Sequence, residues 1–272
     1  MLLIWEGRIS RARVGQFLDV QWRRASQLIS EFRETRDGWA VWDEKKKEFQ
    51  STSLAYKAFE SSGRAKESLG RYLSMVGLPF AAAISDKEGG DGIVLWSSTP
   101  SAGIASPRIF ALMVSACREK TGVKITYLSL QEPAPHQRTI YPHSLVRTGQ
   151  RWHVRAFCEE KNEFRDYALG RIIDTVPTGT KAKHLKENDK AWNTKVKVRL
   201  VAHPGLSIEQ SRVIQREYFN EASTRVDICR GALVQYYIQD IRAAVDPVKQ
   251  KTPEYLIAVE NMKEVSPWLF GI

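Results

Sequence analysis

The feature that most constrains the fold is a series of short alternating segments between residues 124 and 171. Four runs in this stretch alternate apolar with polar residues, which is the pattern of half-buried β-strands. Successive residues of a strand point to opposite faces, so the third run divides into two groups. Its predicted faces hold Trp152, Val154, Ala156 and Cys158 on one side, and His153, Arg155 and Phe157 on the other. The chain therefore contains a predicted small β-module.

Arginines recur along this β-module, together with two histidines and a tyrosine. Guanidinium groups bind phosphate or carboxylate through planar, paired hydrogen bonds. A solvated outer face is the alternative for any single arginine, but the joint occurrence favours a site for an anion. The candidate ligand-binding residues are Tyr127, Arg138, His143, His153, Arg155, Arg165 and Arg171.

The same residues carry a resemblance to a known family. An Arg-x-Ile-x-Pro-His-x-Leu run at 138–145 and an Arg-Asp-Tyr-x-Leu-x-Arg-Ile run at 165–172 resemble the WYL domain, an Sm- or SH3-like β-barrel of bacterial transcription regulators. Trp152-His153-Val154 stands where the name-giving strand of the family reads Trp-Tyr-Leu. The Trp-His-Val version is similar to the BrxR/CapW-like repressors of phage-defence operons. The resemblance implies a sensor whose effector is a nucleotide or short nucleic acid.

Residues 1–79 read as helices with one hairpin, and most of a first helix is expected over Met1–Trp5. Ser10 is a candidate N-cap for a second helix, and a turn at Asp19-Val20 leads into a third from about Trp22 to Glu34. The inward stripes of these two helices are predicted to be Val14, Phe17 and Leu18, then Ala25, Leu28, Ile29 and Phe32.

The opposite face of the third helix is polar and has no carboxylate before Glu31. A hairpin with a basic tip follows between Trp39 and Gln50. Helix, turn, helix and hairpin in this order indicate a winged helix-turn-helix, whose second helix enters the major groove of DNA. The candidate DNA-binding residues are Gln21, Arg23, Arg24, Ser26, Gln27, Ser30, Lys45, Lys46 and Lys47.

The alternative for this segment is an amphipathic helix pair whose polar face meets only water. Residues 1–79 carry 14 Lys and Arg against 10 Asp and Glu, so charge alone does not decide. The polar face and the lysines at the hairpin tip together favour DNA. The segment from Trp5-Glu-Gly-Arg-Ile through the hairpin also resembles the N-terminal domain of the same regulators.

A longer helix is predicted from Leu54 to about Val76, and residues 80–122 read as a linker with a connecting helix. That helix carries Ile109, Phe110, Met113, Val114 and Cys117 and is expected to end at Thr121-Gly122. The WYL-like module is expected to occupy residues 123–182.

Residues 190–272 predict a small α+β unit with the order strand, helix, strand, helix, strand. Lys195–Val201 alternates basic with apolar residues, as an edge strand does. Ser207 and Gln210 fit a capping box for a helix that runs to about Tyr218. This unit resembles the C-terminal extension that accompanies WYL domains and commonly helps them to dimerise, so a homodimer is expected.

The composition and charge of the chain limit the classes of molecule that it is expected to bind. The net charge is +10 and the pI about 9.5, which favours nucleic acid first and an anionic membrane second. No apolar run approaches the roughly 20 residues of a membrane-spanning helix, and charges at Glu6 and Arg8 argue against a secretory signal. Three cysteines without a CxxC pair fit a reducing cytoplasm.

Catalysis is the remaining class of function to consider. His136, His143, His153 and Asp166 are the residues that a metal or acid–base site would use, but no HExxH, ligand spacing or nucleophile motif accompanies them. We therefore assign no catalytic residue, metal or cofactor. The sequence favours a cytoplasmic, dimeric repressor at an inverted-repeat operator. The alternative is an RNA- or single-strand-binding protein that uses the arginine-rich barrel alone.

Overall fold

The computed structural model describes residues 1–63, 68–69, 71–72, 106–149 and 151–270. The chain divides into two compact units, Met1–Lys183 and His184–Ile272. The first unit combines helices with two antiparallel sheets and the second combines helices with one mainly antiparallel sheet, which confirms the α+β class. No helix in the described ranges is long and apolar enough to cross a membrane.

The N-terminal part of the first unit contains α1 (Leu2–Trp5), β1 (Arg8–Ile9), α2 (Arg11–Leu18), α3 (Trp22–Thr35), β2 (Ala40–Asp43), β3 (Glu48–Ser51) and α4 (Ser53–Ser61). The Ser10 Oγ caps α2 by accepting a hydrogen bond from the Arg13 backbone N–H at 3.2 Å, as predicted. Asp19 ends this helix in a left-handed conformation with φ 52°. The hairpin β2–β3 gains a third strand, β1, which the sequence did not predict.

Two predictions for this part need correction. Leu18 is 41% exposed because it lies at the rim of an open apolar cleft beside Phe17 and Met1. The helix predicted from Leu54 to Val76 is interrupted, since α4 ends at Ser61 and Gly63 follows with φ +66°. Leu69 and Tyr72 are helical and buried beyond this break. Ala65, Leu73 and Val76, and the predicted linker at 85–103, lie outside the described residues.

The central part contains α5 (Pro107–Glu119) and five antiparallel strands, β4 (Thr121–Tyr127), β5 (His136–Thr148), β6 (Arg151–Cys158), β7 (Glu163–Ala168) and β8 (Ile172–Lys181). Their order in the sheet is β7-β6-β5-β4-β8. Val123, Ile125, Ile140 and Val154 share one buried cluster with Met113 of α5. The helix therefore covers one face of the sheet.

In the described residues the sheet does not close into the predicted Sm- or SH3-like barrel, since no ladder joins β7 to β8. These two strands are the edges of the sheet, although only a 3₁₀ turn, Leu169–Arg171, separates them in sequence. The turn directs β8 to pair with β4 instead of with β7. The Leu128 backbone N–H donates to the Arg171 carbonyl at 3.0 Å, which fixes the turn against the end of β4.

The second unit contains a 3₁₀ turn (Lys186–Asn188), α6 (Lys190–Asn193), β9 (Lys195–Ala202), α7 (Ile208–Phe219), β10 (Thr224–Arg230), a 3₁₀ turn (Gly231–Leu233), α8 (Val234–Asp240), β11 (Ala243–Ala244), β12 (Ile257–Val259), α9 (Met262–Val265) and a 3₁₀ turn (Ser266–Trp268). The predicted alternation of strands and helices is present, and the capping box of Ser207 and Gln210 is confirmed. The sheet order is β10-β9-β12-β11, so the edge position predicted for β9 is wrong. Its basic residues alternate with buried Val196, Val198 and Leu200, so an inner strand with one exposed face shows the same pattern.

Candidate nucleic-acid surface and ligand face

The exposed side of α3 carries the residues predicted to contact DNA. Gln21 precedes the helix, and an open cleft on its polar face is lined by Arg23, Arg24, Ser26, Gln27, Ser30, Glu31 and Glu34. The Glu31 carboxylate accepts a hydrogen bond from Arg24 at 3.1 Å, and both side chains are more than half exposed. The face is therefore less basic than its arginines alone suggest.

The three lysines predicted at the hairpin tip lie there, but they differ in their contacts. Lys46 Nζ is 2.6 Å from a carboxylate oxygen of Glu119, at the end of α5. Lys47 forms an ion pair with Glu44. Lys45 is exposed and forms no ion pair with the residues that the structure describes. Of the three ammonium groups, that of Lys45 is thus the one without an ion-pair partner among the residues that the structure describes.

A second cleft lies between α3 and the hairpin, and the sequence interpretation missed two of its residues. It is lined by Arg11, Ser26, Ile29, Ser30, Arg33, Trp42 and Phe49. Arg33 follows Ser30 by three residues, so helical spacing contains the signal for it. Arg11 belongs to α2 and reaches the cleft only through folding.

The predicted ligand residues do not form one cluster, because the ladders place them on opposite faces of the sheet. Arg138 pairs with Ile125, and Arg165 pairs with Ala156, so both lie on the face that packs against α5. Tyr127 shares that face and is buried in the same core. His153 and Arg155 lie on the other face, which we call the outer face. Arg171 belongs to the 3₁₀ turn after β7.

On the side of α5, the predicted ligand residues already have structural partners. The Tyr127 hydroxyl accepts a hydrogen bond from the Ala168 backbone N–H at 3.3 Å. Arg138 donates to Glu132 at 2.9 Å, and Arg165 donates to Glu163 at 2.6 Å. These contacts stabilise strand ends and surface loops.

The outer face combines a buried ion pair with aromatic rings. Arg155 Nη1 is 3.4 Å from Asp166 Oδ1, and the two side chains are 9% and 8% exposed. His143 lies in a β-bulge, because Pro142 pairs with Ala156 and Ser144 pairs with Arg155. Bulges redirect side chains, and this bulge was not predicted from the sequence. The His143 ring contacts Phe164 edge to face, with centroids 5.7 Å apart.

His153 is a neutral imidazole on the outer face. Burial, with the positive charges of Arg151 and Arg171, lowers the pKa of its imidazole to about 4. Its Nδ1 is hydrogen-bonded to the Thr148 hydroxyl at 3.1 Å. The pKa decrease means that any negative charge bound nearby would find His153 uncharged at neutral pH.

Two contacts join the helical part of this unit to the sheet. Phe110 of α5 packs edge to face on both Trp5 and Trp152, with centroids 5.8 and 5.2 Å apart. The buried Glu6 carboxylate binds Arg13 at 2.5 Å and Arg118 at 3.1 Å. Burial alone would raise the pKa of Glu6, but the two guanidinium groups lower it overall.

Family models match two regions of the chain. The model of the WYL domain matches residues 108–177. A model described as the C-terminal dimerization domain of the BrxR transcriptional regulator matches residues 195–265. The chain carries a WYL domain and a BrxR C-terminal domain. The resemblance inferred from the Trp152-His153-Val154 and arginine motifs is confirmed, and the outer face belongs to the WYL domain.

Curated relatives match almost the whole chain. The DNA-binding transcriptional repressor CapW of Escherichia coli (strain KTE188) is 29% identical over 272 residues, which cover 97% of this chain and 87% of the relative. CapW of Pseudomonas aeruginosa is 28% identical over 270 residues, with 97% and 87% covered. The similarity therefore includes the segment before the WYL domain as well as the BrxR C-terminal domain.

Similarity to solved structures is weaker. The proteasome accessory factor B/C (PafBC) of Arthrobacter aurescens is 15% identical, with a TM-score of 0.28, over 73% of this chain and 29% of that chain. A CRISPR Cas-related protein is 10% identical, with a TM-score of 0.30, over 59% of this chain and 49% of that chain. This chain spans less than half of either structure, and such scores carry no argument on function.

Proposed function

We propose that this chain is a DNA-binding transcriptional repressor that acts as a homodimer and whose WYL domain senses a nucleotide or a short nucleic acid. The observation that carries the proposal is the similarity over 97% of the chain to relatives named as DNA-binding transcriptional repressors. The match to a dimerization domain at residues 195–265 supports the dimer. Two copies related by two-fold symmetry would bind an inverted-repeat operator.

In this proposal, α2, α3 and the hairpin act as a winged helix-turn-helix. The side chains that would read base edges or nearby phosphates are Gln21, Arg23, Arg24, Ser26, Gln27 and Ser30. Gln27 is the best candidate for sequence reading, because an exposed carboxamide can pair with both hydrogen-bonding groups of adenine. Lys45, Lys46 and Lys47 at the hairpin tip would contact the phosphate backbone, which fixes the register without reading sequence.

The ligand would bind on the outer face of the WYL domain. Arg155 is held there by Asp166 at 3.4 Å, a long contact that a phosphate is able to replace with two parallel hydrogen bonds. Phe164 lies beside it and is partly exposed, so its ring is one on which a base can stack; its centroid is 5.3 Å from that of the buried Phe157. His143 and Arg171 are further candidates for contact with the ligand. Tyr127, Arg138 and Arg165 lie on the α5 side of the sheet and would support the ligand face without touching the ligand.

Binding on the outer face would reach the helices through β6. His153 and Trp152 are neighbours on opposite faces of this strand, and Trp152 contacts Phe110 of α5. A ligand that shifts β6 would therefore shift α5 and, through Trp5, the first helix. Such coupling requires the ligand to bind one arrangement more tightly than the other.

Fluorescence anisotropy with duplex DNA tests the proposal. The duplex from upstream of the chain's own gene is expected to bind at least about a hundredfold more tightly than a scrambled duplex at the same salt concentration. Gln27→Ala is expected to reduce this preference. Equal affinity for both duplexes, or binding to single-stranded RNA alone, would contradict a promoter-specific repressor.

A second titration tests the sensor. Short single-stranded DNA and cyclic nucleotides are added to the protein–duplex complex, and release of the duplex is expected with one of them. Arg155→Ala is expected to bind the duplex normally but not to release it. Glu163→Gln on the α5 side is the matched control and should respond like the wild type. Control of a phage-defence operon is tested by measuring transcription of the neighbouring genes with and without the protein.

A further inference from the structure

The cleft between α3 and the hairpin brings together two arginines that are 22 positions apart in the sequence, Arg11 and Arg33. The cleft has a volume of about 280 Å³ and is open to solvent. Ile29 and Phe49 contribute apolar lining, and Ser26 and Ser30 contribute polar lining. Neither of these two arginines is among the residues that the sequence analysis predicted to contact DNA.

Aromatic rings hold both guanidinium groups in place. The Arg11 guanidinium carbon lies 4.2 Å from the centroid of the Trp22 ring. The Arg33 guanidinium carbon lies 4.7 Å from the centroid of the Phe49 ring. Stacking on a ring uses the face of the guanidinium plane and leaves its N–H groups at the edge free to donate. Less conformational entropy is therefore lost when they bind a partner.

Neither arginine is neutralised by a residue that the structure describes. Among the described residues, Arg11 and Arg33 form no ion pair, whereas Arg24 on the neighbouring surface is bound to Glu31. The Ser26 hydroxyl donates to the Trp22 carbonyl at 3.1 Å, and no carboxylate lines the cleft. The cleft therefore offers two positive charges and no competing anion.

The position of the cleft indicates which anion it would bind. Ser26 and Ser30 line both this cleft and the polar cleft on α3, so the two surfaces are continuous. Trp42, which lines the cleft, and Trp22, on which Arg11 stacks, are 39% and 64% exposed, so both rings are accessible to a bound duplex. A duplex whose bases meet α3 would carry its phosphate backbone past the hairpin side of the helix.

We infer that Arg11 and Arg33 form a phosphate clamp for the backbone of duplex DNA, set between α3 and the hairpin. This inference rests on the proposed function and adds a binding site to it. The clamp contributes affinity that is independent of base sequence, because its donors meet phosphate oxygens. It also fixes how deeply α3 enters the groove, since its two arginines come from different helices.

The test is the salt dependence of binding for operator and scrambled duplexes. Each lost phosphate contact is expected to reduce the slope of log affinity against log salt by about 0.9. Arg11→Gln and Arg33→Gln are each expected to reduce the affinity for both duplexes by about tenfold. The double variant should lose about two units of slope while the ratio between the duplexes stays the same.

Arg36→Gln is the matched control. Arg36 follows α3 and stacks on Trp39 at 5.1 Å, but it does not line the cleft. The same charge and the same kind of ring contact are removed, so a slope change equal to that of Arg33→Gln would overturn the clamp. Arg33→Lys, which keeps the charge, covers the case in which Arg33→Gln fails to fold, and it should retain most of the slope.

The result separates the clamp from the regulatory function. A wild type that prefers its operator, with variants that keep the full salt slope, would refute the clamp and leave the repressor standing. A wild type without operator preference, whose slope nevertheless falls in both arginine variants, would refute the repressor and retain the clamp.

Discussion

Phe110 and Trp152 meet edge to face, with ring centroids 5.2 Å apart and an interplanar angle of 85°. Phe110 meets Trp5 in the same way at 5.8 Å, and Trp5 meets Phe59 at 5.9 Å. Four rings thus connect α4, α1, α5 and β6. Trp152 lies on the opposite face of β6 from Arg155, so the proposed ligand face and the helical part share one strand.

A double-mutant cycle on this pair is the first prediction. Phe110→Leu and Trp152→Leu are each expected to destabilise the first unit, and the double variant should cost about 1 kcal/mol less than their sum, since edge-to-face pairs contribute that amount beyond burial. Urea denaturation measures the three values. Phe32→Leu combined with Trp152→Leu is the control, because Phe32 packs on Trp39, and this combination should be additive. Additivity in the first cycle would contradict coupling through the rings.

The second prediction concerns Glu6, whose side chain is fully buried between Arg13 and Arg118. Glu6→Gln removes the negative charge and replaces one of the two acceptor oxygens by an NH₂ donor, so the two guanidinium groups lose their buried counter-charge, at a cost of about 3 kcal/mol. Thermal or urea denaturation at pH 7 measures the loss. Glu31→Gln breaks an exposed pair and is expected to cost less than about 1 kcal/mol. Similar losses in the two variants would contradict a buried ionic role for Glu6.

The same carboxylate gives a pH dependence of known sign. Its pKa in the folded protein lies below the ordinary value of 4.5, so the unfolded chain binds the proton more tightly. The stabilisation by Glu6 is therefore complete above pH 4.5 and is lost as the pH falls through the lower folded pKa. Glu6→Gln should flatten this part of the stability profile, and a profile as steep as that of the wild type would assign the acid loss to other groups.

The third prediction uses His153, whose pKa falls from 6.5 to about 4 on folding. The unfolded chain binds a proton between these values and the folded chain does not. Stability is therefore expected to decrease as the pH falls from 6.5 to 4, by up to about 3 kcal/mol. His153→Gln should reduce that decrease. An NMR titration of the imidazole checks the value directly, and an anionic ligand on the outer face should raise it.

Local patterns in the sequence were enough to predict many elements. The period of Ala25 and Ile29 defines α3, and the alternation around Val154 assigns the correct residues to each face of β6. Capping at Ser10 and at Ser207 was also predictable, because a cap depends on residues within one helical turn. These features are fixed by near neighbours in the chain.

Features that depend on distant pairing were not predictable in the same way. Arg138 and Arg155 look alike in sequence, yet the ladders put them on opposite faces, and the bulge at His143 shifts the register between them. The phosphate clamp depends on the approach of α2 to α3. The contact from Lys46 to Glu119 spans 73 positions. Each of these features arises from tertiary packing, which the spacing of hydrophobic residues along the sequence does not reveal.

The fourth prediction concerns that contact between the hairpin tip and α5. Glu119→Gln releases Lys46, whose side chain is 42% exposed, and should change stability by less than about 1 kcal/mol. If the released ammonium group reaches a phosphate, duplex affinity rises and the salt slope increases by about one unit. Anisotropy at several salt concentrations measures both. Glu119→Gln combined with Lys46→Gln should not show the gain, and a gain in that double variant would exclude Lys46 as its source.

The fifth prediction addresses the dimer. The edge strand β10 lies within the matched dimerization domain, and its Val226 and Ile228 are 49% and 64% exposed. An edge strand with exposed apolar side chains is a surface that a second copy of the chain can cover. Ile228→Asp in the full chain is therefore expected to weaken the dimer by about tenfold or more in sedimentation. Ile208→Asp is the control, because Ile208 is 71% exposed on α7 outside the sheet. A dimer unaffected by Ile228→Asp, or one lost equally in the control, would place the interface elsewhere.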